Sequence, residues 1–178
     1  ILYLSRADVE AAGPSMEEII ASLAMMFREK AAGRTEMPPK PGIHTRPDAF
    51  IHAMPAYIPA LNAAGMKWVS SYPGNRLRGL PNITGLIVLN DPETGLPLAV
   101  MDATWITAKR TGAATAIAAK SLARAGSRTA GVLGCGVQGR SNIEALRTVL
   151  SLERIIAYDK DPVAAQRFLE ETRKDGGT

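Results

Sequence analysis

Residues 129–139 read TAGVLGCGVQG, an apolar run that breaks into three glycines spaced G-x-G-x-x-G. The run has the composition of a short buried strand, and the residues from about Gln138 to Leu150 have helical periodicity. RIIAYD (154–159) reads as the next strand and PVAAQRFLEETRK (162–174) as the next helix. A β-α-β-α series opens a doubly wound parallel sheet. In that setting Gly134 permits the tight turn, Gly136 lets the backbone approach a pyrophosphate, and Gly139 allows close helix–strand packing. The helix N-terminus adds free N–H groups and the positive end of a dipole. Asp159 stands 20 residues beyond Gly139, at the end of the second strand, where a carboxylate accepts the ribose hydroxyls of an adenosine. Its charge repels a 2′-phosphate, so NAD is expected over NADP, although Lys160 beside it softens the preference. Two other readings of the loop itself stand: a glycine-rich turn, and the glycine loop of a methyltransferase.

Upstream of the loop, ATWITAKRTGAATAIAAKSLARAG (103–126) reads as an alanine-rich helix closing at Gly126. Before it, ITGLIVLNDPETGLPLAVMD (83–102) is a hairpin, two apolar runs around DPETG. GMKWVSSYP (65–73) reads as a strand with Lys67 near its start, followed by a Gly/Asn/Arg loop. The proline-rich MPPKPGIHTRPDAFIHAMPAYIP is expected to form only short extended pieces. Ser15 and Glu18 fit a capping box, opening a helix that Gly33 stops. The expected architecture is therefore α/β: an α+β domain over 1–112, then the first half of a Rossmann-type sheet over 113–178. A complete sheet of that type needs more strands, so the sequence reads as cut off within the second domain.

The 178 residues are 46% hydrophobic and 21% charged, ordinary for a globular protein. No apolar run approaches the roughly 20 residues that span a bilayer, and no export signal is evident, so a cytoplasmic protein is expected. The net charge of +4 is scattered, and aromatics make up only 5%, which argues against a nucleic-acid surface. Two histidines and one cysteine offer no metal-site spacing, and Cys135 reads as a small residue tolerated in a tight turn. The cations that stand out are Lys40, Lys67 and Arg110, each among apolar or turn residues. Converging cations suit an α-carboxylate, arginine in bidentate fashion, whereas exposed lysines or structural ion pairs are the plain alternative.

The segments MPPK (37–40), HAMPAY (52–57), GMKWVSSYPGN (65–75), the long run 79–123 and GVLGCGVQG (131–139) together resemble the ornithine cyclodeaminase/μ-crystallin family over essentially the whole chain. The resemblance implies an NAD(P)-dependent homodimer whose first domain carries the dimer contact and most of the substrate site. It implies hydride transfer at the α-carbon of an amino or imino acid. Conversion of ornithine to proline plus ammonia is the first expectation; alanine dehydrogenase or cyclic ketimine reductase is the alternative, and a non-catalytic μ-crystallin-like binding protein a further one. By position, Lys40 is expected at the substrate carboxylate. Lys67, in the family pattern G-x-K, is expected at the substrate and in proton transfer. Arg110 and Thr111, in A-x-R-T, are expected at the carboxylate and the cofactor. Asn82 stands where relatives use Thr or Ser at the cofactor, and Val137 and Gln138 are expected at the pyrophosphate. His52 occupies a position where some relatives have arginine. The aspartate assigned as proton donor in cyclodeaminases belongs to a later part of the family pattern, which this sequence does not contain.

Overall fold

A computed structural model describes residues 1–174, with side chains for 1–173; the final DGGT of the expected second domain lies outside the described residues. The chain divides into two compact units, Ile1–Gly13 with Met25–Ile106, and Pro14–Ala24 with Thr107 onward.

The first unit is built on a six-stranded sheet. Its strands are β1 (Leu2–Leu4), β2 (Gly42–Arg46), β3 (Ala49–Ile58), β4 (Ala63–Ser71), β5 (Ile83–Asn90) and β6 (Pro97–Asp102), in the order β1-β6-β5-β4-β3-β2. All neighbours are antiparallel except β1, which joins β6 in parallel. The hairpin over 83–102 forms as read: Asp91 accepts from the Thr94 hydroxyl (2.6 Å) and the Glu93 N–H (3.0 Å), and Gly95 takes φ +73. Sequence reading missed β1 and the short helix α1 (Arg6–Ala12), which starts on a reciprocal Ser5–Asp8 capping box and packs on β1 and β6.

The proline-rich segment corrects its expectation, because β3 runs ten unbroken residues through Pro55. On the β2 side, Ala53 and Tyr57 donate their N–H groups to Pro41 and Glu36. Pro55 falls between them with its missing donor on that same side, so the ladder to β4 loses nothing. Lys67 is likewise corrected from near the strand start to mid-strand, since β4 begins at Ala63.

The second unit holds the N-terminal turns of α2 (Met16–Ala31), most of α3 (Thr104–Leu122), and the series β7 (Thr129–Leu133), α4 (Val137–Val149), β8 (Arg154–Tyr158) and α5 (Pro162–Lys174). The Ser15–Glu18 box closes as the sequence indicates: the Ser15 N–H donates to Glu18 at 2.8 Å, and the Glu18 N–H to the Ser15 hydroxyl at 3.3 Å. Small residues set the helix packing. Met16 of α2, Ala113 and Ala116 of α3, and Ala145 of α4 form one buried cluster. A Cβ on Gly112 would stand 2.3 Å from the Ser141 carbonyl oxygen, and the Ser141 hydroxyl donates to the Ala108 carbonyl at 2.6 Å. α3 ends at Leu122 rather than running to Gly126, which takes φ +74 in the turn that follows. β7 and β8 pair in parallel from Thr129↔Arg154 to Leu133↔Tyr158, so both point their C-terminal ends the same way. The chain is thus α/β, with the opening of a Rossmann-type sheet in its second unit.

Candidate cofactor loop and substrate-side residues

The glycine loop leaves β7 at Leu133. Gly134 takes φ +98, a conformation that favours glycine, and donates its N–H to the Tyr158 carbonyl at 2.8 Å. Next, the Cys135 N–H donates to Asp159 Oδ2 at 2.8 Å, tying the loop to the end of β8. The other carboxylate oxygen of Asp159 accepts the Asp161 N–H at 3.0 Å, so the group is held in one orientation. Gly136 is the N-cap of α4 and no side chain caps that end, which leaves the first-turn amides to an outside acceptor.

The three glycines meet different demands. A Cβ on Gly139 would lie 2.3 Å from the Gly134 carbonyl oxygen, so the third glycine is needed for the loop to close on the helix. A Cβ on Gly136 would meet no atom within 4 Å. It would project into open space. Gly134, Gly136, Val137, Gln138, Gly139 and Asp159 therefore gather at one end of the β7–β8 pair, and their geometry fits a dinucleotide.

Cys135 is better placed than a residue merely tolerated in a turn. It is 1% exposed, packs with Val132, Ile143 and Phe168, and its thiol donates to the Tyr158 carbonyl at 3.6 Å. Burial and the nearby Asp159 charge push that thiol above its ordinary pKa, against a smaller opposing pull from Arg140.

In the first unit, Lys67 pairs in register with Met54 on β3 and Ile87 on β5. It shares a sheet face with Val69 and Ser71, both buried, and is itself half-buried. Phe50, His52 and Met54 lie on that face of β3. The His52 ring stacks on Phe50 at 4.0 Å and fits over Gly42, where a Cβ would stand 2.1 Å from the ring. Its pKa is lowered by burial first, then by the charges of Lys40 and His44, and Lys40 itself is exposed. Asn82 accepts the Tyr72 N–H at its carbonyl (2.8 Å) and the Ser71 hydroxyl at its side chain (3.4 Å). A cleft of about 510 Å³ in this unit is lined by Arg46, Asp48, Tyr72, Asn75 and Arg78, and includes none of the expected site residues.

Arg110 and Thr111 belong to α3 in the second unit. The Thr111 hydroxyl donates to the Thr107 carbonyl at 2.7 Å within the helix. Arg110 has no ion-pair partner among the described residues, and desolvation alone pulls its guanidinium below its ordinary pKa. Arg110 stays exposed at the surface, and an exposed guanidinium without a carboxylate partner is suited to an anionic ligand. Among the described residues there is no cluster of three or more metal-ligating side chains, and no helix is long and apolar enough to cross a membrane.

Comparison with known proteins agrees with this architecture. The profile of the Ornithine cyclodeaminase/mu-crystallin family matches residues 2–177. An alanine dehydrogenase of Archaeoglobus fulgidus is 45% identical over 168 residues, 94% of this chain and 51% of that protein. The structure of Thermococcus litoralis Delta(1)-pyrroline-2-carboxylate reductase in complex with NADH and L-proline superposes with a TM-score of 0.94 at 43% identity, covering 98% of this chain and 54% of its own. An archaeal alanine dehydrogenase dimer with bound NAD gives 0.92 at 43%, covering 99% and 55%. The chain thus spans about half the length of the relatives it matches. With a family profile matched from residue 2 to residue 177, the chain belongs to the ornithine cyclodeaminase/mu-crystallin family.

Proposed function

We propose that the protein is an NAD-dependent enzyme acting at the α-carbon of an amino or imino acid. The observation that carries the reading is the uncapped α4 N-terminus behind Gly136, with Asp159 held beside it. When bound, the nicotinamide supplies a hydride acceptor or donor. The amides of Val137 and Gln138 and the helix dipole hold the pyrophosphate, and Asp159 accepts the ribose hydroxyls and disfavours a 2′-phosphate. In the first unit, Lys40 and Lys67 act on the substrate carboxylate, and Lys67 also holds the proton exchanged at the α-nitrogen; in the second unit, Arg110 is an anion-binding residue. In the oxidative direction the α-carbon loses a hydride and the amine a proton, leaving an imine that water opens to an oxo acid and ammonia.

The sequence reading puts ornithine first. The 43–45% identities to an alanine dehydrogenase and a pyrroline-2-carboxylate reductase favour amino acid/imino acid oxidoreduction ahead of it. Ornithine cyclodeamination is the second reading, supported by the family matched. The proposal includes a homodimer. The sheet face opposite Lys67 exposes Tyr3 (76%), Ile43 (56%), Trp68 (44%) and Leu86 (50%), an apolar surface suited to a second copy. A cytoplasmic location is also part of the proposal.

The test is a substrate panel on the intact protein with NAD and NADH. Net NADH formation with alanine, or NADH consumption with a cyclic imine, supports oxidoreduction. Proline and ammonia from ornithine without net NADH supports cyclodeamination. Absence of NAD binding sinks both.

A further inference from the structure

Arg140, the residue immediately after Gly139, enters no part of the proposed chemistry, yet it holds three groups around the loop. Its Nη1 donates to the Cys135 carbonyl, its Nε to Glu171 of α5, and its guanidinium lies 5.9 Å from the centroid of the buried Phe168 ring. Two consecutive peptide units are therefore pinned by side chains. The unit entering Cys135 is held through its N–H by Asp159, and the unit leaving it is held through its carbonyl by Arg140.

The second grip has a directional consequence. In a trans peptide the C=O and the next N–H point in opposite directions, and there are no cis peptides among the described residues. Holding the Cys135 carbonyl on the Arg140 side thus turns the Gly136 N–H the other way. The loop between Gly134 and α4 is short and glycine-rich, and glycines alone do not choose one peptide orientation. The bond is charge-assisted on the donor side, and Glu171 together with the Phe168 face fixes the guanidinium that makes it.

We infer that Arg140, oriented by Glu171, is a positioning residue that presets the loop amides for a pyrophosphate. The inference rests on the dinucleotide reading above. It assigns Arg140 a role in the orientation of the loop rather than in contact with the ligand. The affected ligands are those that carry the diphosphate, while adenosine, which needs Asp159 and not the loop amides, is spared.

The experiment measures dissociation constants of NAD, ADP-ribose and adenosine on the intact protein for the parent, Arg140→Met, Arg140→Lys and Glu171→Gln. Arg140→Met is expected to weaken NAD and ADP-ribose by about tenfold or more, with adenosine unchanged within about twofold. Arg140→Lys keeps a charge but not the fork, and recovers part of the loss. Glu171→Gln leaves Arg140 in place but loosens it, with a loss of about threefold confined to the diphosphate ligands; it keeps the test open if Arg140→Met does not fold. Amide exchange at residues 134–138 should quicken in both Arg140→Met and Glu171→Gln. Equal NAD affinity in parent and folded variants overturns the inference, and so does adenosine weakening in step with NAD. A parent that binds no NAD overturns the dinucleotide reading instead, and is recognised because the parent itself fails.

Discussion

The glycine loop of the second unit and the lysine-bearing sheet of the first are assembled from different kinds of information. In the loop, nearly every contact joins residues on either side of one strand–helix turn or at the end of the neighbouring strand: Gly134 to Tyr158, Cys135 to Asp159, Gly139 against Gly134. In the sheet, Lys67 gains its setting from Met54 and Ile87, which adjoin it only because three strands share a register. A loop of the first kind is nearly specified by residue spacing. A face of the second kind depends on pairing that a one-residue slip would invert.

The largest test of this contrast is in the second unit's core. Phe168→Ala removes a side chain with 0% exposure that packs beneath the loop, and should cost about 4 kcal/mol in denaturant unfolding. Gly112→Val forces a side chain against the Ser141 backbone and should cost roughly 3 kcal/mol by the same measurement. A loss of less than about 1 kcal/mol in either would mean that the small-residue packing is slacker than described. Lys67→Ala should lower turnover by about 100-fold while circular dichroism and melting stay near the parent; unchanged turnover would remove Lys67 from the chemistry.

A smaller effect separates loop shape from loop function. Gly136 has φ −80 and ψ −161, extended backbone open to any residue, and its added Cβ meets nothing within 4 Å. Gly136→Val should therefore leave stability within about 0.5 kcal/mol of the parent. NAD affinity should nevertheless fall about tenfold, because the side chain fills the phosphate space. Intact NAD binding would place the phosphates elsewhere.

The smallest effect concerns Cys135. A thiol whose pKa is raised in the fold stabilises the protein fully below the unfolded thiol's pKa and loses that contribution as pH rises through the folded value. Unfolding at a series of alkaline pH values should show this decline, and Cys135→Ala should flatten it. An identical decline in the variant would assign it to other groups.

Many individual elements were legible because their signals are local. The Ser15–Glu18 box, the G-x-G-x-x-G spacing and the acid 20 residues on each describe geometry within one turn or one strand–helix–strand unit. Arg140 was not legible, since an arginine on a helix does not announce whether it faces water, Glu171 or the Cys135 carbonyl. In the first unit, Pro55 argued against a long strand by its own chemistry. Only the position of Pro41 and Glu36 along β3 reveals that its missing donor falls in a gap. Likewise β1 is three residues long and exists only because β6 offers an edge.

By itself, then, the amino-acid order determined the strand–turn–helix units, the helix starts and the residue types at the loop, because backbone conformation and capping act over a few residues. Tertiary structure alone decided which face Lys67 shares, that Trp68 and Leu86 stay uncovered on the opposite face, and which peptide Arg140 grips. Those outcomes depend on distances between residues remote in the chain, and such distances exist only once the strands have paired and the helices have packed.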